Sequence, residues 1–206
     1  NSTEPMNLGE GYIVWSGSSN GTTDPFTMEV TGTIHTGTFN FPVNYTNSGD
    51  SANDGWNLVG NPYASAIDWD STGWTKTNLD SAIYVWNPDE NQFASYVNGM
   101  GTFDGSRFVA SGQSFWVHAF DTPTLTATEN VKSDAAAKLL NAQFAGEATP
   151  VIKLRLQLNN LKDEIVVRFK NGATEQMDRA MDALKIKSSS PQVPFMYSEM
   201  NGEKYS

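Results

Sequence analysis

The chain of 206 residues has no cysteine, an absence that removes disulfide staples, thiolate zinc sites and thiol nucleophiles together. Its stability must come from packing. Histidine is scarce: His35 and His118 are the only two, both inside strand-like stretches where a core-edge or solvent-facing imidazole is the common case and a catalytic one the exception. Basic residues are nearly missing from the first 130 positions, which hold only Lys76 and Arg107; the rest fall between Lys132 and Lys204. With a formal net charge of -10 and a sequence pI near 4.5, the chain lacks the cations that neutralise nucleic-acid phosphate or an anionic membrane. No nucleic-acid partner and no membrane insertion are expected. No apolar run reaches the roughly 18 residues of a membrane span, and no basic-plus-apolar signal segment stands at the start. A mature chain or a fragment is expected.

What is present is periodicity of two, punctuated by turn residues every 8 to 12 positions or so, the pattern of an all-β sandwich or barrel. Candidate strands cover residues 11–15, 26–31, 38–45, 56–59, 82–86, 93–97, 107–109, 114–119 and 124–128. All six tryptophans lie before residue 117. After residue 129 the composition shifts to Ala, Lys, Asn and Gln, which reads as a linker with at most a short helix. Beyond Pro150, "VIKLRLQLNN" and "DEIVVRFKNG" read as a hairpin. Met177, Met181 and Leu184 recur at helical spacing, and Asn201-Gly202 marks a second hairpin. The expectation is two β-sandwich, jelly-roll-like modules: an aromatic-rich one over residues 1–130, a linker over 131–150, and a partial one over 151–206 with a short helical segment. Two hairpins rarely close a sandwich, so the second module is expected to be incomplete, with sheet edges that another chain covers or that stay disordered. A short echo, "GEGYIVW" at 9–15 and "GQSFWVHA" at 112–119, fits either two edges of one domain or a repeat.

The stretch "GWNLVGNPYASAIDWD", residues 55–70, carries the candidate site. Asp68 and Asp70 flank Trp69, and Trp74 follows. An exposed indole beside carboxylates suits a sugar, whose apolar face stacks while its rim hydrogen-bonds. Trp69, Trp74, Asp68 and Asp70 are therefore candidate ligand-binding residues, whereas Trp56, Trp86 and Trp116 are assigned to the core. Asp68 and Asp70 are also candidate calcium ligands, the one ion indicated. Against that, no D-x-[DN]-x-[DN]-G loop is present, and aspartates near tight turns commonly accept backbone N–H groups. Ser114 follows Gly112-Gln113 but lacks the second glycine and strand-to-helix context of a nucleophile elbow. No catalytic residue is expected.

"GWNLVGNPYASAIDWD", "IYVWNP" and "GQSFWV", in this order and spacing, resemble the β-rich modules upstream of the type IX secretion sorting domain in large secreted surface proteins of Bacteroidota. The downstream "LRLQLNN", "DEIVVRFKNGATEQMDRAMDALKI" and "PFMYS" are similar to the β-sandwich region that commonly follows. The resemblance spans most of the chain, and no sorting domain is included in it. It implies export by the type IX machinery, a secreted or cell-surface location on the exterior of the outer membrane, and a place in a surface assembly with other chains. It carries over no activity, because such modules accompany adhesins, proteases and polysaccharide hydrolases alike. It also implies Asp-Ser/Thr O-glycosylation, for which Ser51, Ser71 and Ser81 are the candidates. The leading expectation is a non-catalytic structural or adhesion module, and the runner-up a carbohydrate-binding accessory module of a polysaccharide-degrading enzyme.

Overall fold

The computed structural model describes residues 5–14, 31–50, 53–135 and 150–206. Its elements run β1 (Phe39–Asn40), β2 (Trp56–Gly60), β3 (Ala66–Asp68), β4 (Trp74–Asn87), β5 (Gln92–Val97), β6 (Met100–Gly101), β7 (Phe108–Val109), β8 (Ser114–Ala127), β9 (Lys132–Ser133), β10 (Val151–Leu158), β11 (Leu161–Arg168), β12 (Ser198–Met200) and β13 (Glu203–Tyr205). The chain is all-β, in several antiparallel sheets, with one 3₁₀ turn at Glu129–Val131 and no α-helix among the described residues.

Two long strands organise the body. β4 and β8 pair along most of their length and form the middle of a six-stranded sheet, ordered β1-β8-β4-β5-β6, with β2 also on β8. They bend together where the register shifts between Thr77, Leu79 and Ile83. Pro123 falls in that irregular stretch, where a missing N–H breaks no regular ladder, and Asn78 at φ 55 donates its amide to the Thr122 carbonyl. Sequence patterning divides β8 into two strands at Asp121-Thr122-Pro123 and starts the β4 strand only at residue 82. The bulge is the reason both run on.

A smaller sheet, β7-β3-β9, lies over one face of the large one. Ile67 and Val109 from it meet Val59, Ile83, Phe115, Val117 and Leu125 from the large sheet in one core, with Trp69, Tyr63 and Val131. The arrangement is sandwich-like. Val131 is fully buried there and β9 pairs with β3, so residues 131–133 belong to this body and do not begin a linker. Gly55 shows why the entry to β2 tolerates no side chain: at φ +79, a Cβ would lie 2.0 Å from the Ala119 carbonyl.

The opposite face of the large sheet is covered by the chain's last third. Ala183, Leu184 and Ile186 pack on Ala82, Tyr84, Val97, Trp56, Phe93 and Trp116. Both expected hairpins form: β10 and β11 pair in full register through a two-residue connection, and β12 and β13 pair across Asn201-Gly202, whose φ values of 52 and 85 suit a primed turn. The expected helical segment near residues 174–185 does not form. Met181 and Asp182 both donate to the Asp178 carbonyl, and the turn stops there, because Ala183 and Leu184 are drawn onto the sheet and Leu184 bridges to Tyr205.

Of the remaining strand expectations, 56–59, 93–97, 107–109 and 114–119 correspond to observed strands. Residues 38–45 reduce to the short β1, and residues 11–14 form no strand: the neighbouring Glu10 bridges Val59, and the Gly11 N–H donates to the Leu58 carbonyl. Residues 26–30 of the strand expected at 26–31, Ser51, and most of the expected linker lie outside the described residues.

Candidate functional site

The stretch from Asp68 to Lys76 forms a compact polar-aromatic cluster at the edge of the core. β3 ends at Asp68, and the turn that follows is held by the Asp68 carboxylate, whose Oδ1 accepts from the Asp70 N–H at 3.0 Å. The same carboxylate is gripped by Arg107: Nε donates to Oδ1 at 2.6 Å and Nη2 donates to Oδ2. Arg107 Nη1 also lies 3.6 Å from Asp70 Oδ2. Asp70 in turn accepts from the Tyr96 hydroxyl, which itself accepts from the Gly99 N–H. Burial first, then the neighbouring Asp70 carboxylate, raises the Tyr96 hydroxyl above its ordinary pKa, so it stays a donor. The guanidinium of Arg107 is raised further by its bonds to Asp68.

Trp69 does not face solvent. It is 1% exposed, with Nε1 donating to the Ser81 carbonyl at 2.7 Å and its ring packed against Trp74 and Phe115 at centroid distances of 4.9 and 5.8 Å. Trp74 is half-buried against the same core and donates Nε1 to the Asp68 carbonyl. The sugar platform expected at Trp69 and Trp74 is therefore corrected at Trp69, which is buried, while Trp74 is half-buried with its Nε1 already engaged. Asp68 and Asp70, the candidate calcium ligands, both pair with Arg107, and the described residues contain no cluster of three or more metal-ligating side chains.

Lys76 completes the cluster. Its Nζ sits 3.7 Å over the Trp69 ring and donates to the Trp69 carbonyl at 2.7 Å. Burial lowers its pKa to about 8, against the opposing pull of Asp70 and Asp68.

The tryptophans assigned to the core behave differently from expectation. Trp56 and Trp116 are only partly buried, under the Ala183–Ile186 cover, and Trp86 is 38% exposed with Phe93 edge-on at 5.1 Å. Strand alternation explains the exchange. Phe115 and Val117 point into the core, so Trp116 must point out; Val85 packs against that core, so Trp86 points away from it.

The signature motifs act as staples. Asn61 donates its side-chain amide to the carbonyls of Ser65, Ala110 and Val109 and accepts from the Tyr63 N–H. Asn87 accepts from the N–H groups of Asp89 and Glu90, and Gln113 accepts from the Ala110 N–H. These side chains replace backbone partners where strands end.

A second constellation was not legible in the sequence. His118 Nδ1 lies 2.6 Å from Asp80 Oδ2, and Arg179 Nη1 lies 2.7 Å from Asp80 Oδ1, with the imidazole packed on Trp56 at 4.8 Å. Asp80 is 1% exposed. Residue 80 is polar within a run that reads as a loop, and its partners are 38 and 99 positions away. The pair resembles the orienting half of a hydrolytic triad, but among the described residues no hydroxyl bonds the His118 Nε2, and Arg179 takes the carboxylate's other oxygen. Chemically it is a buried ion cluster that ties the covering segment to β4. His35 packs edge-on to Phe39 and against Tyr63.

Of the candidate glycosylation sites, Ser71 donates its hydroxyl to the Asn130 carbonyl in a surface turn, while Ser81 lies in β4 between buried Asp80 and Ala82. A pocket lined by Ile83, Val85, Ala94, Tyr96 and Phe108 barely admits a water molecule. No helix among the described residues is long and apolar enough to cross a membrane. A family model described as a domain of unknown function (DUF8693) matches residues 1–206. No curated protein and no solved structure matches the chain.

Proposed function

Since the chain belongs to that family, whose description names no activity, we propose from its own geometry that it is a non-catalytic structural and adhesion module of a secreted, cell-surface bacterial protein exported by the type IX system. One observation carries the non-catalytic reading: the carboxylates gathered in each cluster are committed to the side chains beside them, and among the described residues the remaining nitrogen of His118 has no hydroxyl to activate. Asp68, Asp70, Arg107 and Tyr96 saturate each other, and Asp80 is saturated by His118 and Arg179. An active site needs an acid, base or nucleophile with an open side for substrate. The surface location rests on the motif resemblance and the acidic, aromatic-rich composition of the first 130 residues. In this reading the chain takes a place in a surface assembly, and Ser71 is the better-placed O-glycan acceptor of the two described.

The carbohydrate-binding reading keeps one specific support, at a different residue. Trp86 is an exposed indole beside the Asn87 turn, backed edge-on by the partly buried Phe93. A glycan array and a panel of polysaccharide and peptide substrates separate the readings. The structural module is expected to turn over none of the substrates and to bind no glycan. Turnover by the purified chain would overturn the non-catalytic reading, and glycan binding abolished by Trp86→Ala would replace the structural role with the carbohydrate-binding one.

A further inference from the structure

We propose that β10 is a docking strand, whose outer edge takes up an extended strand of another polypeptide in which apolar residues alternate with acidic ones. This inference goes beyond the surface-module reading and stands on β10 alone, so it survives if that reading fails.

The hairpin is covered on one strand and bare on the other. On one face, Asp163 of β11 is fully buried, bonded to Lys185 Nζ and the Met196 N–H, and Ile165 is 5% exposed. The residues beside them on β10 share that face, Leu156 opposite Asp163, Leu154 opposite Ile165 and Ile152 opposite Val167. Yet every residue of β10 is exposed, with Ile152, Leu154 and Leu156 each at 46% and Leu158 at 56%. Four large aliphatic side chains thus stand in a row along one face of a strand. Contiguous apolar surface of this kind marks an interaction site.

The backbone agrees. β10 pairs with β11 and with no other strand among the described residues. Phe169 donates to the Pro150 carbonyl at 3.0 Å, so Pro150 and Phe169 form a hydrogen-bonded pair, and antiparallel alternation directs every second residue of β10 toward β11. The peptide groups of Val151, Lys153, Arg155 and Gln157 are therefore the ones directed to the outer edge. An exposed, apolar edge strand of eight residues is a template for strand addition.

Charge selects the occupant. In a chain of net charge -10, β10 carries Lys153 and Arg155 and no acid. Both reach Glu164, which is fully buried on the face opposite the aliphatic row. A second copy pairing antiparallel across the whole aliphatic row would set Ile152 against Leu158 and Leu154 against Leu156. That register puts Arg155 opposite Arg155 of the copy, and like charges directly opposite destabilise a sheet. A strand with acids at those positions meets the cations instead, while its apolar residues lie against the row.

The test uses the 206-residue chain and two synthetic peptides, one alternating valine with glutamate and one alternating valine with lysine. Hydrogen exchange is expected to show protection by the glutamate peptide at the amides of Val151, Lys153, Arg155 and Gln157. Binding followed by fluorescence anisotropy is expected to weaken with salt, and to fall at least tenfold in Leu154→Glu and in Gln157→Pro. Both substitutions are at exposed positions, and the proline removes an outward N–H and one exposed side-chain bond, from Gln157 to the Asn159 carbonyl, so circular dichroism should still show the native sheet. Absence of protection on β10, equal binding of the lysine peptide, or sedimentation showing a dimer of the chain alone that Leu154→Glu dissolves would each overturn the proposal.

Discussion

At the residue scale, Asn61 and Lys76 show how polar side chains inside this body serve its shape. Asn61 connects the end of β2 to the 109–110 and 63–65 segments through four hydrogen bonds. Asn61→Ala leaves the Tyr63 N–H and up to three carbonyls without that partner in a buried turn, and should cost roughly 2–4 kcal/mol in urea denaturation. Lys76 yields a pH signature. Its amine is held near 8 in the folded chain by burial, whereas an unfolded lysine titrates near about 10.4. Below pH 8 the folded chain bears the full cost of the buried charge. Between the two values the unfolded chain still holds the proton and the native one has released it, so stability rises with pH through that window. Lys76→Met should remove this alkaline rise, read as the difference in denaturation midpoint between wild type and variant from pH 7 to 10. A parallel profile in both would place the amine in water.

At the element scale, the β10–β11 hairpin is fastened to the body by a buried acid. Glu164 is fully buried, accepts from the Phe103 N–H at 3.0 Å, and meets Lys153 and Arg155. Burial alone would raise its carboxyl, but Arg155, the Phe103 N–H and Lys153 outweigh that and hold it below the ordinary value. The contribution is therefore present above about pH 4.3, where an unfolded glutamate ionises, and is lost as the pH falls through the lower native value. Glu164→Gln should cost about 3 kcal/mol at pH 7, since it leaves two cations against a neutral amide. It should also flatten the acid limb of the stability profile, with hydrogen exchange at the Phe103 amide as the local readout. The hairpin itself was legible, since "VIKLRLQL" alternates without a break and Asn159, at φ 56, suits its turn. Its docking was not, because Phe103 and Glu164 are 61 positions apart. The same limit explains the tryptophans. Period two says that Trp116 and Phe115 point oppositely, but which face is the core depends on the β7-β3-β9 layer, and its strands are two or three residues long. Trp69 follows a three-residue strand into a turn with no period to read, so only the folded chain reveals that it is the largest fully buried side chain.

At the scale of the whole molecule, the question is whether residues 150–206 form a unit of their own or complete the sheet beneath them. Ala183, Leu184 and Ile186 share a core with Tyr84, Trp56 and Trp116. Arg179 and Lys162 pair with Asp80 and Glu90, and Gln92 donates to the carbonyls of Lys162 and Pro194. Asp80 and Gln92 are each 1% exposed beneath this cover. Removing the cover would strand Asp80 beside His118 alone and open an aromatic face containing Trp56, Tyr84 and Trp116 to water. A chain truncated after residue 135 is accordingly expected to bind a hydrophobic dye such as ANS, to lose several kcal/mol of stability, and to unfold in a single transition at lower urea than the full chain. The full chain, for its part, should unfold in one transition reported alike by tryptophan fluorescence and by the Glu164-dependent exchange at Phe103. Two separated transitions, with the first leaving the tryptophans undisturbed, would show instead that the sheet carries its outer face without help, and that residues 150–206 are a module joined to it only loosely.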